Sequence, residues 1–445
     1  MTDFYFHHNP DELPEYCDEC HPVQIFDSYP LNKYKCSHAS KELLTKIRKL
    51  GVEIDPNAFD LVTIATAVTS AETFEPRDNA PNSWSRILNL HIPLIDPAKW
   101  ESVGTRLESL LGFLTGDQWK LSFSKSDFAL PKPINSKQSK LTAESLKGLN
   151  AVCLFSGGLD SAVGAINILN GNNSDIRPML ISHAYRADGA KQQAIKKLLK
   201  KPFGELSYSI APQLSSQANY ANDTSMRGRS FNFLAMAVLG ITALRSANND
   251  NTISQIIVPE NGYISINPPL TRRRIGSHST RTTHPNYLSQ LEELLNEIGF
   301  NIHIVNPYQF KTKGEMLAEC VDQDAVKEAI PLSVSCSHWH REHIQCGYCL
   351  PCLIRRASVF HASFNKDASY AVPRLKSILK EYEKRDDVHA VQTAILRLKQ
   401  HPNYMAWLRQ SGPLPQNKEI REKLESTVKR GLAEVEEFLK SVNLS

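Results

Sequence analysis

A seven-residue stretch with two glycines, two serines and an aspartate lies between an apolar run and a helical pattern, at residues 155–161. The apolar run, Ala151–Leu154, has the length and composition of a buried strand, and the helical pattern follows from Ser161. A turn from the carboxyl end of a parallel strand into a helix collects unpaired backbone N–H groups and the positive end of the helix dipole. The stretch is therefore predicted to bind an anion.

The residue types within this stretch indicate a phosphate ligand. Gly157 and Gly158 let the backbone come close to a ligand, and Ser156 and Ser161 can donate hydroxyl hydrogen bonds. Asp160 would repel a phosphate unless Mg²⁺ lay between them. The nucleotide loop with Gly-x-x-x-x-Gly-Lys is excluded because no lysine follows. A strand-to-helix turn with a serine cap is the alternative.

Four of the nine cysteines lie within seventeen residues. They are Cys336, Cys346, Cys349 and Cys352. Four thiolates complete the tetrahedral coordination of zinc, which would make the site structural and closed to water. Histidines at positions 338, 340 and 343 lie between the first two cysteines and could replace one ligand. Free buried thiols and a redox pair are the two alternatives.

The composition is that of an ordinary globular protein, and the formal charge of +4 is small for 445 residues, so nothing global indicates a nucleic-acid partner. The length favours two or three domains. The first residues lack a basic segment followed by an apolar core, and no stretch approaches the roughly 18 apolar residues that cross a bilayer. We therefore expect a cytoplasmic protein without a membrane partner, in which clustered thiols bind metal.

The order of apolar runs and helical patterns predicts four regions. Residues 1–45 are expected to form an irregular arm, residues 46–145 a small accessory α/β domain, and residues 365–445 a helical C-terminal extension. In residues 148–362, five apolar runs alternate with helical patterns, which predicts right-handed crossovers and a doubly wound parallel sheet with helices on both faces. The five predicted strands lie at 151–155, 179–183, 206–210, 255–258 and 302–305.

The amino-terminal arm contains a second candidate metal site. A cysteine pair is followed by a further cysteine and a histidine: Cys17, Cys20, Cys36 and His38. The last two of these residues are closer together than the usual ligands of a zinc finger, so this site is left open.

The glycine-rich loop resembles the pyrophosphate-binding loop of the ATP pyrophosphatase superfamily, whose members cleave ATP to AMP and pyrophosphate. The resemblance covers Phe155, Ser156, Gly157, Gly158, Leu159, Asp160 and Ser161. It implies the adenine nucleotide alpha hydrolase-like (HUP) fold, ATP and Mg²⁺ as ligands, and nucleotide contacts from the loop and from His183. In that superfamily an oxygen of the substrate is adenylated, and a nitrogen or sulfur nucleophile then displaces AMP. Asp160 and Ser161 are thereby implied as catalytic residues.

The loop and the cysteine cluster together resemble the 7-cyano-7-deazaguanine synthase (QueC) family. Cys346 begins the pattern Cys-Gly-x-Cys-x-x-Cys-x-x-Arg, and in that family the cluster pins a C-terminal segment beside the active site. The resemblance implies Zn²⁺ on the four clustered cysteines. It also implies that Arg227 and Arg229, before a long apolar helix, lie near the phosphates, where an arginine can balance charge on departing pyrophosphate. Solvated arginines are the alternative.

This chain carries long additional segments before the loop and after the cysteine cluster. With Phe-Leu-Thr-Gly-Asp-Gln-Trp at 113–119 and Ser-Thr-Arg-Thr-Thr-His-Pro at 279–285, it resembles the QueC-like proteins of bacterial anti-phage islands, in particular those of the Qat systems. The long loop after Val258 should overhang the carboxyl ends of the strands, where open α/β sheets bind ligands. Arg281 and His284 then become candidates to hold a substrate carboxylate or phosphate, and a polar lid without direct contact is the alternative.

These resemblances imply an AMP-forming ligase that adenylates a small deazapurine carboxylate, 7-carboxy-7-deazaguanine if the family substrate is retained. Ammonia would then give the amide, and a second activation would give the nitrile. Three alternatives stay open. They are a ligase that joins the deazaguanine to an amine of a partner protein encoded in the same defence operon, a tRNA thiolation enzyme, and a non-catalytic ATP-binding subunit.

Overall fold

The computed structural model describes most of the chain and contains two five-stranded sheets, each with parallel strands only. The described residues are 2–17, 19–26, 36–172, 175–183, 189–215, 222–223, 227–271, 280–339, 343–380, 385–401 and 403–444. The α/β class and the parallel sheet expected from the sequence are confirmed.

The first sheet is built from the amino-terminal residues, in the order β3-β2-β1-β4-β5. Its strands are β1 (Thr2–His7), β2 (Cys20–Ile25), β3 (Ser37–Ala39), β4 (Ile87–Leu94) and β5 (Gln118–Lys125). Its helices are α1 (Leu43–Arg48), α2 (Pro56–Phe74), α3 (Pro97–Glu101) and α4 (Gly104–Thr115), with 3₁₀ turns at Pro10–Glu12 and Arg77–Asn79.

The expectation of an irregular arm at residues 1–45 is wrong, because three of the five strands of this sheet lie there. β1 buries Phe4 and Phe6 on one face and leaves the alternate residues Tyr5 and His7 half-buried, which is the period of two that a strand requires. Only two residues carry that signal. The partner strand β4 lies more than eighty residues further along the chain, so the local pattern alone is too weak to identify the sheet.

The second sheet follows the strand pattern expected from residue 151 onward, in the order β10-β9-β6-β7-β8. Its strands are β6 (Ala151–Leu154), β7 (Pro178–His183), β8 (Gly204–Tyr208), β9 (Gln255–Ile257) and β10 (His303–Val305). The helices that precede, connect and follow them are α5 (Lys137–Ser145), α6 (Leu159–Asn170), α7 (Gly189–Lys196), α8 (Arg229–Asn248), α9 (Gly262–Ile266), α10 (Pro285–Glu297), α11 (Lys313–Ala318) and α12 (Gln323–Leu332).

Helices cover both faces of the second sheet. Val152 of β6 packs into the cluster that contains α8, whereas its neighbours Ala151 and Cys153 pack into the cluster that contains α6 and α12. Because successive residues of a strand point to opposite faces, this division shows helices on the two sides. The chain order reverses between β6 and β9, so a crevice forms at the carboxyl ends of these two strands.

The two sheets share one hydrophobic core, because α2 from the first sheet packs against α8 from the second. Helix α8 has 20 residues and is long and apolar enough to cross a membrane by length and composition, although no such span was expected from the sequence. Its apolar side chains are instead buried between the two sheets, where residues Phe231 to Leu244 are all buried. In this structure α8 is a core helix.

A buried charge network lies where the first sheet meets the start of α8. Asp117 accepts two hydrogen bonds from Arg77, both at 2.9 Å, and its second partner is Arg86, at 2.7 Å. Glu72 accepts the backbone N–H of Gly228 at 2.8 Å. Burial raises the pKa of Glu72 to about 7, against the opposing effect of Arg86. The network therefore connects α2 with the first turn of α8.

The residues after the cysteine cluster are helical, as expected. They form α13 (Leu350–His361), α14 (Asp386–Gln400), α15 (Tyr404–Leu408) and α16 (Lys418–Ser441), with a 3₁₀ helix at Leu375–Lys380. Helix α16 packs on α13 and α9, and the apolar side chains of these helices form a core of their own. The C-terminal extension therefore lies against the elements that follow β9.

Replacing Asp117 by alanine should destabilise the protein, because it leaves two buried guanidinium groups without their shared carboxylate. We expect the free energy of unfolding to fall by about 3–5 kcal/mol. Chemical denaturation followed by circular dichroism measures the effect. The matched control is Asp78→Ala, an exposed aspartate on the same 3₁₀ turn as Arg77, which should change stability by no more than about 0.5 kcal/mol. Equal effects of the two substitutions would contradict the role of Asp117 as the shared buried partner of Arg77 and Arg86.

Candidate active site

The glycine-rich loop joins β6 to α6, with Gly158 as the residue before the first helical turn. The hydroxyl of Ser156 accepts the N–H of Gly158 at 3.2 Å and lies 3.2 Å from the hydroxyl of Ser161. The Ser161 hydroxyl in turn donates to the carbonyl of Gly158 at 3.0 Å. Two hydroxyls and the amino end of a twelve-residue helix thus converge, which is the arrangement expected for anion binding.

Gly157 is required by the conformation of the loop. Its φ is +79°, and a Cβ at this position would lie 2.8 Å from Cγ of Gln192. The side-chain amide of Gln192 donates to the carbonyl oxygens of Ser156, at 3.0 Å, and His183, at 3.2 Å. His183 therefore supports the loop through its backbone. Its buried ring packs edge-on against Tyr208, with ring centres 5.1 Å apart.

Asp160, at the end of the loop, is buried and forms an ion pair. Its Oδ1 lies 2.6 Å from Nζ of Lys313, and its Oδ2 accepts the side-chain amide of Asn261 at 2.6 Å and the backbone N–H at 3.1 Å. Burial alone would raise its pKa, but Lys313 and these hydrogen bonds hold the pKa of Asp160 at about 2. The neighbouring Glu260 has the opposite character, since burial and the charge of Asp160 raise its pKa well above the usual value.

Lys313, Asn261 and Glu260 were not predicted from the sequence. Lys313 is the first residue of α11 and lies between Thr312 and Glu315, the two residues of the capping box that begins this helix. A lysine at the amino end of a helix is unfavourable for the helix dipole, so its presence there was a signal that it serves another partner. Proximity to Asp160, which lies more than 150 residues earlier, could not be read from the sequence.

The C-terminal extension holds Lys313 in position. Glu434 of α16 accepts the hydroxyl of Thr312 and, at 3.3 Å, the backbone N–H of Gly314. A Cβ on Gly314 would lie 2.6 Å from a carboxylate oxygen of Glu434, so the helices touch closely here. These contacts bracket Lys313 on both sides and make α16 part of the support of the candidate site.

Two cavities flank the loop and share Ser156 and Arg229 in their walls. The first, of about 190 Å³, is polar and is bounded by the two glycines of the loop together with Lys191 and Arg229. The second, of about 230 Å³, is mostly apolar and is bounded by Phe233 and by Glu260. Other residues of its wall are Leu154, Ser161, Leu234, Val258, Pro259, Thr282 and Thr283.

The four residues predicted around the phosphates and substrate lie in different places. Arg229, the first residue of α8, lines both cavities. Arg227 instead lies over the ring of Trp84, at 4.7 Å, and burial followed by repulsion from Arg77 lowers its pKa to about 10. Arg227 therefore belongs to the buried charge network next to the first sheet.

Arg281 and His284 also have structural partners. Arg281 donates to the carbonyl oxygen of Phe113 in α4 at 2.9 Å and lies over its ring at 4.5 Å. His284 is fully buried, caps α10 by accepting the N–H of Asn286 at 3.2 Å, and has a pKa lowered to about 4 by burial. Their neighbours Thr282 and Thr283 line the apolar cavity, whereas these two side chains bind the segment to the rest of the protein.

The four cysteines from Cys336 to Cys352 form a buried cluster that can hold a metal ion such as zinc. All four sulfur atoms lie within 4.8 Å of one another. The Cys346–Cys352 and Cys336–Cys349 sulfur separations are both 3.9 Å. A disulfide requires about 2.05 Å. Tetrahedral zinc with bonds of about 2.3 Å separates its sulfur ligands by roughly 3.8 Å. The observed spacing therefore fits four thiolate ligands of one zinc ion.

The cysteine cluster lies beside the loop. The N–H of Val334 donates to the carbonyl of Gly157 at 3.1 Å, and Cys336 is part of the wall of the polar cavity. Arg355, the arginine at the end of the cysteine pattern, is completely buried and donates to the carbonyl and the hydroxyl of Ser333, at 3.1 and 3.0 Å. The cluster and Arg355 thus fix the segment that forms one side of the polar cavity.

The second candidate metal site does not form among the described residues of the amino-terminal sheet. Cys17, Cys20, Cys36 and His38 are not brought together as one group of ligands. His38 lies in β3 and shares a hydrogen bond of 2.9 Å with the side chain of Gln213, and the exposed Cys17 is paired with Cys20 through the backbone.

Comparisons with known proteins do not assign this chain to a family. No protein-family model matches the sequence, and no curated protein matches it either. The function of the protein is therefore inferred from the geometry of the loop, the cavities and the cysteine cluster.

Replacing Gly157 by alanine should abolish anion binding, because the added methyl group meets Gln192 and the backbone must leave its positive φ. Gly299→Ala is the matched control, since Gly299 also has a positive φ, +94°, but has no atom within 4 Å of its virtual Cβ. Both substitutions should cost about 1 kcal/mol or more of stability. Isothermal titration with pyrophosphate should show binding to Gly299→Ala only, and binding of equal strength to both variants would contradict the assignment.

Loss of metal from the cysteine cluster should disorder the segment that carries the four cysteines. One wall of the polar cavity should then be disrupted, because that segment forms it. Cys346→Ser should lose about one zinc ion per chain, measured by elemental analysis, and should expose residues 333–356 to hydrogen exchange. Cys320→Ser is the control, because Cys320 is a buried cysteine outside the cluster. A full zinc content in the Cys346 variant would contradict a four-thiolate site.

Proposed function

We propose that this protein is a QueC-like, AMP-forming enzyme that uses ATP to adenylate a carboxylate, with 7-carboxy-7-deazaguanine as the first candidate substrate. The observation that carries the proposal is the pair of cavities that meet at Ser156 of the glycine-rich loop and Arg229 of α8. One cavity is polar and suits phosphates, and the other is mostly apolar and suits a planar ring. An acyl adenylate forms where the α-phosphate of ATP meets the carboxylate of the acid. The wall that the two cavities share allows the two groups to meet.

The polar cavity supports pyrophosphate binding by its charge and by its backbone. The amino end of α6 contributes the peptide N–H groups at Gly157 and Gly158, and Arg229 and Lys191 contribute positive charge. Lys191 lies over the ring of Trp339, at 3.9 Å, which fixes its ammonium group at the cavity wall. Cationic groups aimed at a leaving pyrophosphate stabilise the charge that develops as it departs.

The apolar cavity supports binding of a heterocyclic acid. Phe233, Leu154 and Val258 provide apolar surface for a ring, and Glu260 contributes a carboxyl group able to hydrogen-bond to ring nitrogens. Arg229 at the junction can pair with the carboxylate of the substrate and hold it next to the loop. Positioning of two reactants in this way supplies much of the rate acceleration in group-transfer reactions.

The carboxyl groups of Asp160 and Glu260 fit a Mg²⁺ ion. Burial and the charge of Asp160 raise the pKa of Glu260, and a cation between two such carboxyl groups relieves their repulsion. Their oxygens would hold the ion, which would neutralise phosphate charge when bound. Lys313 and Asn261 then keep the carboxylate of Asp160 oriented, and the buried setting excludes water from the acyl adenylate.

The acceptor of the activated acid is an amine in this proposal. Ammonia displaces AMP from the acyl adenylate to give the amide, and adenylation of the amide oxygen by a second ATP followed by loss of AMP gives the nitrile. An amine of a partner protein from the same defence operon is the close variant. The rival thiolation reaction needs a reactive thiol at the site. Cys153 is completely buried in β6 with a pKa raised to about 12, and burial also raises the pKa of Cys320. Burial therefore disfavours, at both positions, the thiolate that sulfur transfer requires.

Purified protein incubated with labelled ATP, Mg²⁺ and 7-carboxy-7-deazaguanine should release AMP and pyrophosphate. Arg229→Ala and Ser161→Ala should slow the release by about 100- to 1,000-fold, because Arg229 lines both cavities and Ser161 contributes a loop hydroxyl to the wall of the apolar one. Arg106→Ala is the control, since Arg106 forms a surface ion pair with Glu297 and should leave the rate unchanged.

The remaining outcomes separate the alternatives. Release of AMP that depends on tRNA and a sulfur donor would favour thiolation, and ATP binding without turnover on any acid would favour a non-catalytic subunit. A mass increase on a co-expressed partner protein would identify the protein-modifying variant. Absence of ATP binding to the intact chain would contradict the proposal as a whole.

A further inference from the structure

The amino-terminal sheet repeats the strand order of the second sheet. Numbered along the chain within each sheet, the order is 3-2-1-4-5 in both, with the reversal between the first and fourth strands. Sheets of this kind bind ligands at the carboxyl ends of the strands beside the reversal. In the first sheet this position lies at the ends of β1 and β4, next to the residues that follow β5.

Three metal-binding side chains converge at this edge of the sheet. His7 ends β1, His8 follows it, and Asp127 follows β5. The ligand atoms of the three residues lie within 4.8 Å of one another. Oδ1 of Asp127 is 3.7 Å from Nε2 of His7 and 3.4 Å from Nε2 of His8.

These separations are too long for good hydrogen bonds and suit a shared metal ion. Hydrogen bonds between a ring nitrogen and a carboxylate have lengths of about 2.7–3.2 Å. Zinc bonds to nitrogen and oxygen of about 2.0–2.2 Å separate tetrahedral ligands by roughly 3.3–3.6 Å. By contrast, His91 and Asp3 on the same sheet form a simple pair with 3.0 Å between nitrogen and oxygen.

The two imidazole rings are held in place by their other contacts. Nδ1 of His7 lies 3.0 Å from the carbonyl oxygen of Asn9, a backbone partner of the kind that orients metal-binding histidines. The ring of His8 stacks on that of His7, with centres 4.6 Å apart, and meets Phe128 edge-on at 4.8 Å.

We propose that His7, His8 and Asp127 form a second metal site, separate from the cysteine cluster, for a divalent transition metal such as Zn²⁺. Three protein ligands leave one tetrahedral position open. Asp127 is largely exposed, so that position faces solvent and can hold water or an anionic ligand. Two imidazoles and one carboxylate favour Zn²⁺ and its neighbours over Mg²⁺ or Ca²⁺, which prefer oxygen ligands only.

The test is metal titration of the full-length protein with its cysteine cluster loaded. Co²⁺ should occupy one additional site per chain, with the weak visible absorption of nitrogen and oxygen ligands and without the intense near-ultraviolet band of a cobalt thiolate. Zn²⁺ should displace it. His7→Ala, His8→Ala and Asp127→Asn should each weaken this second equivalent by about 100-fold.

The control is His91→Ala, which removes a histidine paired with an aspartate on the same sheet and should leave the second equivalent unchanged. Asp127→Asn tests the site in a folded protein, because the side chain of Asp127 is 71% exposed and its replacement leaves the core intact. Wild-type protein that binds no metal beyond the cysteine cluster would overturn the proposal. Equal affinity in wild type and Asp127→Asn would overturn it as well.

Discussion

The buried ion pair between Asp160 and Lys313 is the interaction on which the candidate site depends. A carboxylate cannot stay charged in the interior without a partner, and here the partner lies 2.6 Å away on a helix from a distant part of the chain. Lys313 is held in turn by contacts of α16 with its two neighbours in sequence. The first turn of α6, the loop after β9 and the C-terminal extension therefore form one mechanical unit. The extension is thus part of the architecture around the loop and not an appendage to it.

The cysteine cluster has a comparable role on the other side of the loop. Cys336, Cys346 and Cys349 precede α13, and a metal ion and the buried Arg355 can hold this part of the chain more rigidly than backbone hydrogen bonds alone. Because the N–H of Val334 donates to the carbonyl of Gly157, this part of the chain also holds the loop in place at the polar cavity. A closed metal site is suited to this purpose, because it contributes to folding without offering a position for substrate.

The second sheet, the helical extension and the grouping of the cysteines could be predicted from the sequence. Strands buried on both faces give continuous apolar runs such as Ala151–Leu154, which are visible locally. The first sheet could not be predicted in full, because β1 and β2 mix polar with apolar residues and β1 gains its partner β4 from a remote part of the chain. The roles of Arg281 and His284 were unpredictable for a related reason. A polar residue in a loop has the same appearance in sequence whether it meets a ligand or the carbonyl of another helix.

The start of helix α8 connects the candidate site with the amino-terminal half of the protein. Its first residue, Arg229, borders both cavities, while the preceding Gly228 is bound by Glu72 of the amino-terminal half. A ligand that moved the start of this helix would therefore also act on the packing of the amino-terminal half. Such linkage is reciprocal, so, if the loop binds an anion as proposed, a molecule that engages the first sheet and shifts α2 would change the affinity for the anion by the same factor by which the anion changes the affinity for that molecule.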